Sequence, residues 1–503
     1  MSRPGQRRLA RAADELDQRF KLAGPARKQA FGHLFPAHFS FLWGEIALYS
    51  FIVLVLTGTY LALFFHPSTA QLTYQGSDPY LRGKSMSAAY ASAVDLSLDV
   101  RGGLFVRQLH HWAALVFVAA MVLHMFRNYF TGAFRKPREA TWIGGVALLL
   151  LGIFEGYIGY SMLDDLLSGE GVRIMSGLIL SIPVVGTWLH WLAFGGELPG
   201  EIWISRFYIG HVLLVPGILL ALIAMHLGLV WYQHHTQFPG PGKRETNLVG
   251  HRTVPIFASH SASLGLCVIG VLAILGGLAQ INPIYNYGPY EPAEGTPGSE
   301  PDWYAGFLIG ALRIFPRWDI HLGNYEIPAP FWPAVALPLV MFLLLALYPF
   351  IEKRLTGDRA EHNLLQRPRD NPQRTALGAM AITFYAILLL VGGNDVLALT
   401  FKVPVEYQVW AGRVGLLLAP PLVYLLTHRV CTGLQRSDRD LLERGIHTGL
   451  IELGPHPDAY LPVRQPPGGL DHAERPIPAA YQGAPVQRSP RQLGTEEREP
   501  AGE

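Results

Sequence analysis

The chain has 503 residues, half of them hydrophobic and only 16% charged, with a positive mean hydropathy and a net charge of +2. Soluble domains carry about 25% charged residues, so a membrane protein is the leading class, and so small a net charge gives no reason to expect nucleic acid as a partner. Only two cysteines occur, Cys267 and Cys431, far apart in sequence. They argue against a disulfide framework, an iron–sulfur cluster or covalently attached haem c within this chain.

Residues 1–38 are basic and polar and lack the short apolar core and small-residue cleavage site of a secretory leader. They read as a cytoplasmic N-terminal segment. Crossing about 30 Å of hydrocarbon takes about 20 predominantly apolar residues. Eight such windows occur, near 40–65, 108–130, 142–163, 207–232, 260–280, 331–351, 376–396 and 407–427. A further apolar stretch, 177–194, contains Pro183, Gly186 and His190 and reads as one or two short interfacial helices. With eight spans, the loops 131–141, 233–259 and 352–375 share one side and hold most of the Lys and Arg. That bias marks the side as cytoplasmic and places both termini there. A ninth span would put the Arg-rich 352–375 loop outside. Residues 431–503 are rich in Pro, Gly, Arg and Glu without a sustained period, and are expected to form a polar, largely disordered cytoplasmic tail.

Chemistry enters with histidine. The second window holds His110 and His124, and the fourth holds His211 and His226. Fourteen residues of helix turn about 1,400° and rise about 21 Å; fifteen turn about 1,500° and rise about 22 Å. Each pair therefore shares a helix face at two depths, and two antiparallel helices can set His110 against His211 and His124 against His226. Each facing pair can clamp one haem iron from both sides. A single intramembrane histidine is as readily a polar core residue, but four at matched depths make coincidence a poor account. A zinc site is disfavoured, because the two histidines of one helix are too far apart to share an ion at bond lengths of about 2 Å.

Glycines repeat the interval. Gly44 and Gly58 in the first window, and Gly145 and Gly159 in the third, are each 14 apart. A missing Cβ lets a flat ring approach the backbone, and these glycines fall at the two haem depths. Ordinary small-residue helix packing is the competing account for either pair alone. Arg107 and Arg127 flank His110 and His124 at the two ends of the same window, where guanidinium groups can pair with haem propionates or simply anchor the helix at the interface.

At this point the chain resembles cytochrome b of the quinol–cytochrome c reductases (the cytochrome bc complexes). The motifs are Leu56-Thr57-Gly58, Arg107-Gln108-Leu109-His110, His124-Met125-Phe126-Arg127, Gly159-Tyr160 and Ile182-Pro183-Val184-Val185-Gly186-Thr187, with Pro301-Asp302-Trp303-Tyr304 in place of the family's Pro-Glu-Trp-Tyr. The similarity runs in unbroken order over roughly 35–430. The Asp variant, the long tail and Tyr287-Gly288-Pro289-Tyr290 look similar to actinobacterial members, which would imply menaquinol as donor. The resemblance implies an all-α membrane protein of eight transmembrane helices: residues 39–235 form a four-helix domain binding two haem b, and 236–430 a C-terminal four-helix domain with the outer quinol-site loop. It also implies that quinol is oxidised at an outer site, one electron going to a Rieske iron–sulfur subunit and on to a cytochrome c subunit. The other passes through the two haems to quinone at an inner site, and protons are moved across the cell membrane. A homodimeric complex surrounded by lipid is expected, and docking onto a terminal oxidase stays open.

Asp302 is the expected outer proton acceptor, with Tyr304 and Tyr160 as hydrogen-bond partners; by residue type alone a loop Asp is more often a helix cap. His260 is the candidate proton donor of the inner site, with His234, His235 and His251 as competitors. Glu45 and Glu155 are intramembrane carboxylates expected at the edges of the quinone sites, with helix-end solvation an equally good account of Glu45. One departure stands out: the family commonly has Pro-Trp-Gly-Gln where this chain has Asp164-Asp165-Leu166-Leu167, so that wall of the outer site cannot be carried over. The interval of 15 in the fourth span is expected to be absorbed at a bend near Pro216. Two rivals remain, a haem b anchor for a hydrogenase or formate dehydrogenase and a transporter with histidine relays. The first usually lacks a loop like 281–330, and the second commonly shows inverted repeats.

Overall fold

A computed structural model describes residues 34–36, 38–198, 200–240, 242–252, 260–295, 300–323, 325–444, 446–453 and 460–465. The expected N-terminal segment lies almost wholly outside the described residues, as does the tail beyond 465.

Among these residues the chain is helical apart from short two-stranded pairings. In chain order the helices are α1 (Leu42–Ala62), α2 (Ala88–Leu98), α3 (Gly103–Phe130), α4 (Glu139–Ser161), α5 (Leu166–Leu180), α6 (Gly186–Phe194), α7 (Trp203–Gln233), α8 (Ala262–Leu278), α9 (Gly306–Ile314), α10 (Trp332–Thr356), α11 (Pro372–Gly392), α12 (Asn394–Phe401) and α13 (Val405–Arg444). Seven of them, α1, α3, α4, α7, α10, α11 and α13, are long and apolar enough to cross a bilayer. Their outward faces are apolar: Leu213 is 69%, Leu339 66% and Leu417 75% exposed. Such a surface is a liability in water, whereas in lipid it is solvated and the helices satisfy their own backbone groups.

The window expected near 260–280 is the exception. Its helix, α8, has 17 residues, about 25 Å of rise against about 30 Å of hydrocarbon. Its far end is strapped to the start of α3: Trp112 Nε1 donates to the Ala279 carbonyl at 2.7 Å, and Gln108 exchanges two hydrogen bonds with the Ile281 backbone. The apolar stretch at 177–194 is split as expected. It falls across α5 and α6, broken at 181–185, with buried His190 of α6 bonded to Ser176 of α5 at 2.8 Å.

Helices α1, α3, α4 and α7 share one apolar core. Phe51, Phe117, Leu148, Leu149 and Leu219 are all buried in it, and the Phe51 and Phe117 rings lie 5.7 Å apart. Each of these residues lies between the two members of its histidine or glycine pair, Phe51, Phe117 and Leu219 close to the midpoint. The four helices therefore keep a dry apolar layer between two polar levels.

The Arg-rich loops are held together at one end of the bundle. Arg138 is buried and donates to the carbonyls of Gln233, His234 and His362 and to Asn363 Oδ1. Arg374, 1% exposed, pairs with Glu352 and Gln366. Several of these arginines are thus internal clamps on chain ends that would otherwise leave carbonyls unpaired, as well as contributors to a charge bias. The structure also corrects the expectation for residues beyond 430. Helix α13 continues to Arg444, and a hairpin pairs Ile446–Leu453 with Tyr460–Gln465. Ions help to hold this extension: Asp438 meets Arg367 at 3.2 Å and Arg369 at 3.1 Å, and Gln435 donates to the Asp370 carbonyl.

Candidate functional site

Helices α1 and α3 run antiparallel, so that Gly58 faces His110 and Gly44 faces His124. A Cβ on Gly58 would stand 3.2 Å from His110 Cε1, and one on Gly44 3.0 Å from His124 Cε1. Helices α4 and α7 repeat the arrangement: a Cβ on Gly159 would stand 2.4 Å from His211 Cε1, and one on Gly145 3.6 Å from His226 Cε1. The flat rings that the four glycines admit are the imidazoles themselves. Interval 14 on α4 meets interval 15 on α7 because Gly210–Leu214 forms a π-turn, which takes up one extra residue. The turn contains His211 and directly precedes Val215-Pro216, next to the bend expected at the proline.

His110 and His211 come ring to ring, with centroids 6.2 Å apart and planes at 74°. Two metal–nitrogen bonds of about 2 Å each, together with the two ring radii, account for a separation of this size. Thr57 Oγ1 donates to the Val53 carbonyl at 2.6 Å, which leaves it to accept from His110 Nδ1 at 2.9 Å. His211 Nδ1 lies 3.0 Å from Glu155 Oε1 and 3.2 Å from the Glu155 carbonyl. With Nδ1 of both rings engaged as a donor, Nε2 is the nitrogen with a free lone pair. Glu155, expected at the edge of a quinone site, instead holds a histidine.

His124 and His226 are within electrostatic reach of each other. Their Nδ1 atoms are buried without a full hydrogen bond, His226 only leaning toward the Thr141 backbone. At the two ends of α3, Arg107 and Arg127 each keep Nε and Nη2 buried and unpaired. Arg107 makes one bond, to the Asn282 carbonyl, and Arg127 makes one to Asn128 and lies 4.0 Å over the Phe41 ring. Buried guanidinium nitrogens without acceptors are costly. A haem with two acidic propionates is a group that these residues fit: imidazole pairs for iron, glycine clearances, and orphaned cationic donors at the two levels.

A second site gathers on the loop before α9. Asp302 Oδ1 lies 3.1 Å from His111 Nε2, and Tyr304 donates its hydroxyl to Asp302 Oδ2 at 2.9 Å. Burial, and then the adjacent Asp302, push the Tyr304 phenol well above its ordinary range, which keeps it a donor. Its hydroxyl fits only because α4 offers Gly156, where a Cβ would stand 2.2 Å from it, and Tyr385 of α11 donates to the Tyr304 carbonyl. Tyr160 is within electrostatic reach of Asp302 and Asp165. His111 and Gly156 escaped the sequence reading, although His111 follows a candidate ligand directly.

Asp165, where the expected motif is missing, is a fully buried N-cap. It accepts from the Leu167 and Ser168 backbones and from the Ser168 hydroxyl, while Leu166 and Tyr290 bond across to join 164–166 to 288–290. Burial lifts the neighbouring Asp164 carboxyl to about 7. At the other end of the bundle, His260 is exposed at the start of α8, beside Ser261, whose side chain meets Tyr49 of α1. Glu45 Oε2 is buried there without a partner.

The family model for cytochrome b (N-terminal)/b6/petB matches residues 115–289. The chain is 53% identical over 495 residues to the cytochrome bc1 complex cytochrome b subunit of Corynebacterium efficiens, covering 98% of this chain and 91% of that one. It is 54% identical over 488 residues to the subunit of the same description from Mycobacterium tuberculosis H37Rv, covering 97% and 88%. Against that of Streptomyces coelicolor the identity is 47%, covering 91% and 83%. Among solved structures, a chain of a hyperthermophilic respiratory Complex III aligns with a TM-score of 0.63, covering 84% of this chain and 98% of that one. At 21% identity this likeness speaks for the fold.

Proposed function

Since the chain belongs to the cytochrome b subunits of the cytochrome bc1 complex, respiratory complex III, a quinol–cytochrome c oxidoreductase, we propose that it holds two haem b groups and carries the quinol-oxidising site of that complex. The family implies haem b; the proposal adds the number and the ligands. His110 and His211 would hold one haem and His124 and His226 the other, with Arg107 and Arg127 placed to pair with the propionates. Bound there, haem supplies one-electron transfer between the two faces of the membrane.

The chain's own residues do the rest. Oxidising quinol releases two protons with two electrons, so a base must stand at the reacting hydroxyl. Asp302 takes the first of these protons and the second passes to water on the outer side; Tyr304 and His111 fix the two Asp302 oxygens, and Tyr160 lies close by. One electron leaves to a Rieske iron–sulfur partner and on to a cytochrome c partner, and the other crosses the membrane to quinone near Glu45, Tyr49 and His260. The actinobacterial relatives favour menaquinol. Helix α8 is read as an eighth crossing, because it starts beside Tyr49 near the beginning of α1 and ends at the beginning of the antiparallel α3. The Arg-rich end, with both termini, is cytoplasmic by the positive-inside rule.

The 6.2 Å approach of His110 and His211, with both Nδ1 atoms tied back, carries this proposal. Dithionite-reduced minus oxidised absorbance of the purified complex tests it. Two b-type haems per chain are expected, and His211→Ala should lose one and keep the other. No haem in the wild-type chain, or both retained in the variant, would sink the assignment.

A further inference from the structure

We propose that His111 is a positioning residue of the quinol reaction, holding the Asp302 carboxylate in register with helix α3. The inference rests on Asp302 accepting the quinol proton.

Asp302 lies on a loop and is one methylene shorter than the glutamate that the family commonly places there. A short carboxylate on a loop performs only if something aims it. Two donors do so. His111 Nε2 is 3.1 Å from Oδ1 and the Tyr304 hydroxyl is 2.9 Å from Oδ2, so that both oxygens are engaged and the carboxylate plane is set. Each oxygen keeps a second lone pair for an incoming hydroxyl.

The two donors are not equivalent. Tyr304 belongs to the same loop, two residues away, and is itself seated against α4 and α11. His111 belongs to α3 and ties the carboxylate directly to a third helix of the bundle. It also follows His110 directly. Successive helix positions differ by about 100°, so His110 turns toward α7 while His111 turns toward the loop. One turn of helix thus presents a candidate iron ligand on one side and the anchor of the proton acceptor on the other. Both side chains of the pair are largely buried, 17% and 18% exposed, which spares the bond from most solvent screening. A neutral imidazole with its hydrogen on Nε2 suffices, so the role asks for a donor rather than a charge.

Four forms of the purified complex test this: His111→Ala, His111→Gln, Asp302→Asn, and His111→Ala combined with Asp302→Asn. A misplaced acceptor costs turnover rather than binding, so His111→Ala should lower kcat for quinol oxidation by roughly 10- to 100-fold with KM little changed. His111→Gln, which retains an N–H donor, should recover most of the loss. In the Asp302→Asn background, His111→Ala should cost less than about twofold more, since residues acting as one unit are not additive. Both haem signals should persist throughout. Wild-type turnover in His111→Ala, or full additivity in the double variant, would overturn the proposal. So would loss of a haem signal in both His111 variants, which would assign the residue to supporting His110. Wild-type turnover in Asp302→Asn would instead remove Asp302 from the mechanism, and the inference with it.

Discussion

The two histidine pairs occupy equivalent places in the same four helices, yet they are held differently. His110 and His211 have their Nδ1 atoms fixed, one by a threonine hydroxyl and the other by a carboxylate and a carbonyl. His124 and His226 have no such ties. The glycine clearances differ on α4: a Cβ would come as close as 2.4 Å at the first level, on Gly159, whereas Gly145 at the second leaves 3.6 Å, while on α1 Gly58 and Gly44 are nearly alike at 3.2 and 3.0 Å. One pair is oriented by hydrogen bonds on both rings, the other mainly by packing, which is loose at His226 and close at His124. Orientation and basicity of an iron ligand follow from the partner of its second nitrogen. The first pair should therefore be the more sensitive to its surroundings.

The largest expected effect comes from the glycines. Gly159→Ala drives a methyl group into the His211 ring, which the Glu155 bonds prevent from swinging away. The haem of that level should be lost or its spectrum broadened, with the other band intact. Gly145→Ala meets only ordinary van der Waals contact and should keep both haems. Reduced-minus-oxidised spectra of the two variants decide the matter; equal losses, or none in either, would erase the proposed asymmetry.

How much of this could be read in advance follows the range of the interactions. The intervals between His110 and His124, and among the four glycines, are properties of single helices, so depth and face were legible from spacing. The one-residue excess between His211 and His226 was legible as an excess, but its place was not. A π-turn at 210–214 depends on how α7 packs, and the proline that drew attention stands just after it. Contacts such as His111 with Asp302, 191 positions apart, leave no periodic trace. Charge counts likewise register Arg138 and Arg374 as surface charge, because composition does not reveal that they are buried clamps. The extension beyond 430 was missed for the same reason: composition does not reveal that Asp438 pairs with Arg367 and Arg369.

A smaller effect is expected at Glu155. A carboxylate that accepts the Nδ1 hydrogen gives the imidazole imidazolate character, which favours the oxidised iron, and its negative charge acts in the same direction. Glu155→Gln removes the charge and weakens the imidazolate character, since an amide oxygen accepts the Nδ1 hydrogen less strongly than a carboxylate. The midpoint potential of the haem on His211 should rise, by up to about 59 mV if the one-electron equilibrium changes tenfold. The haem on His124 and His226 should be unmoved. Redox titration of the two b bands measures both in one sample, and a shift shared equally, or a fall, would count against the pairing of Glu155 with His211.

Thr57→Val should give the smallest change and sharpen the contrast within the first level. Valine keeps the shape of threonine but offers His110 Nδ1 no acceptor, and it also releases the Val53 carbonyl. The lost partner is a neutral hydroxyl, worth about 1 kcal/mol as a hydrogen bond, and no charge near the iron changes. Potential should therefore move less than in Glu155→Gln, and in the same direction, because the imidazole again loses electron density. His110 would then lack a partner on Nδ1, as His124 does, so spectral broadening should accompany the small shift. If Thr57→Val moved the potential as far as Glu155→Gln, ring orientation rather than the carboxylate would be what distinguishes the two levels.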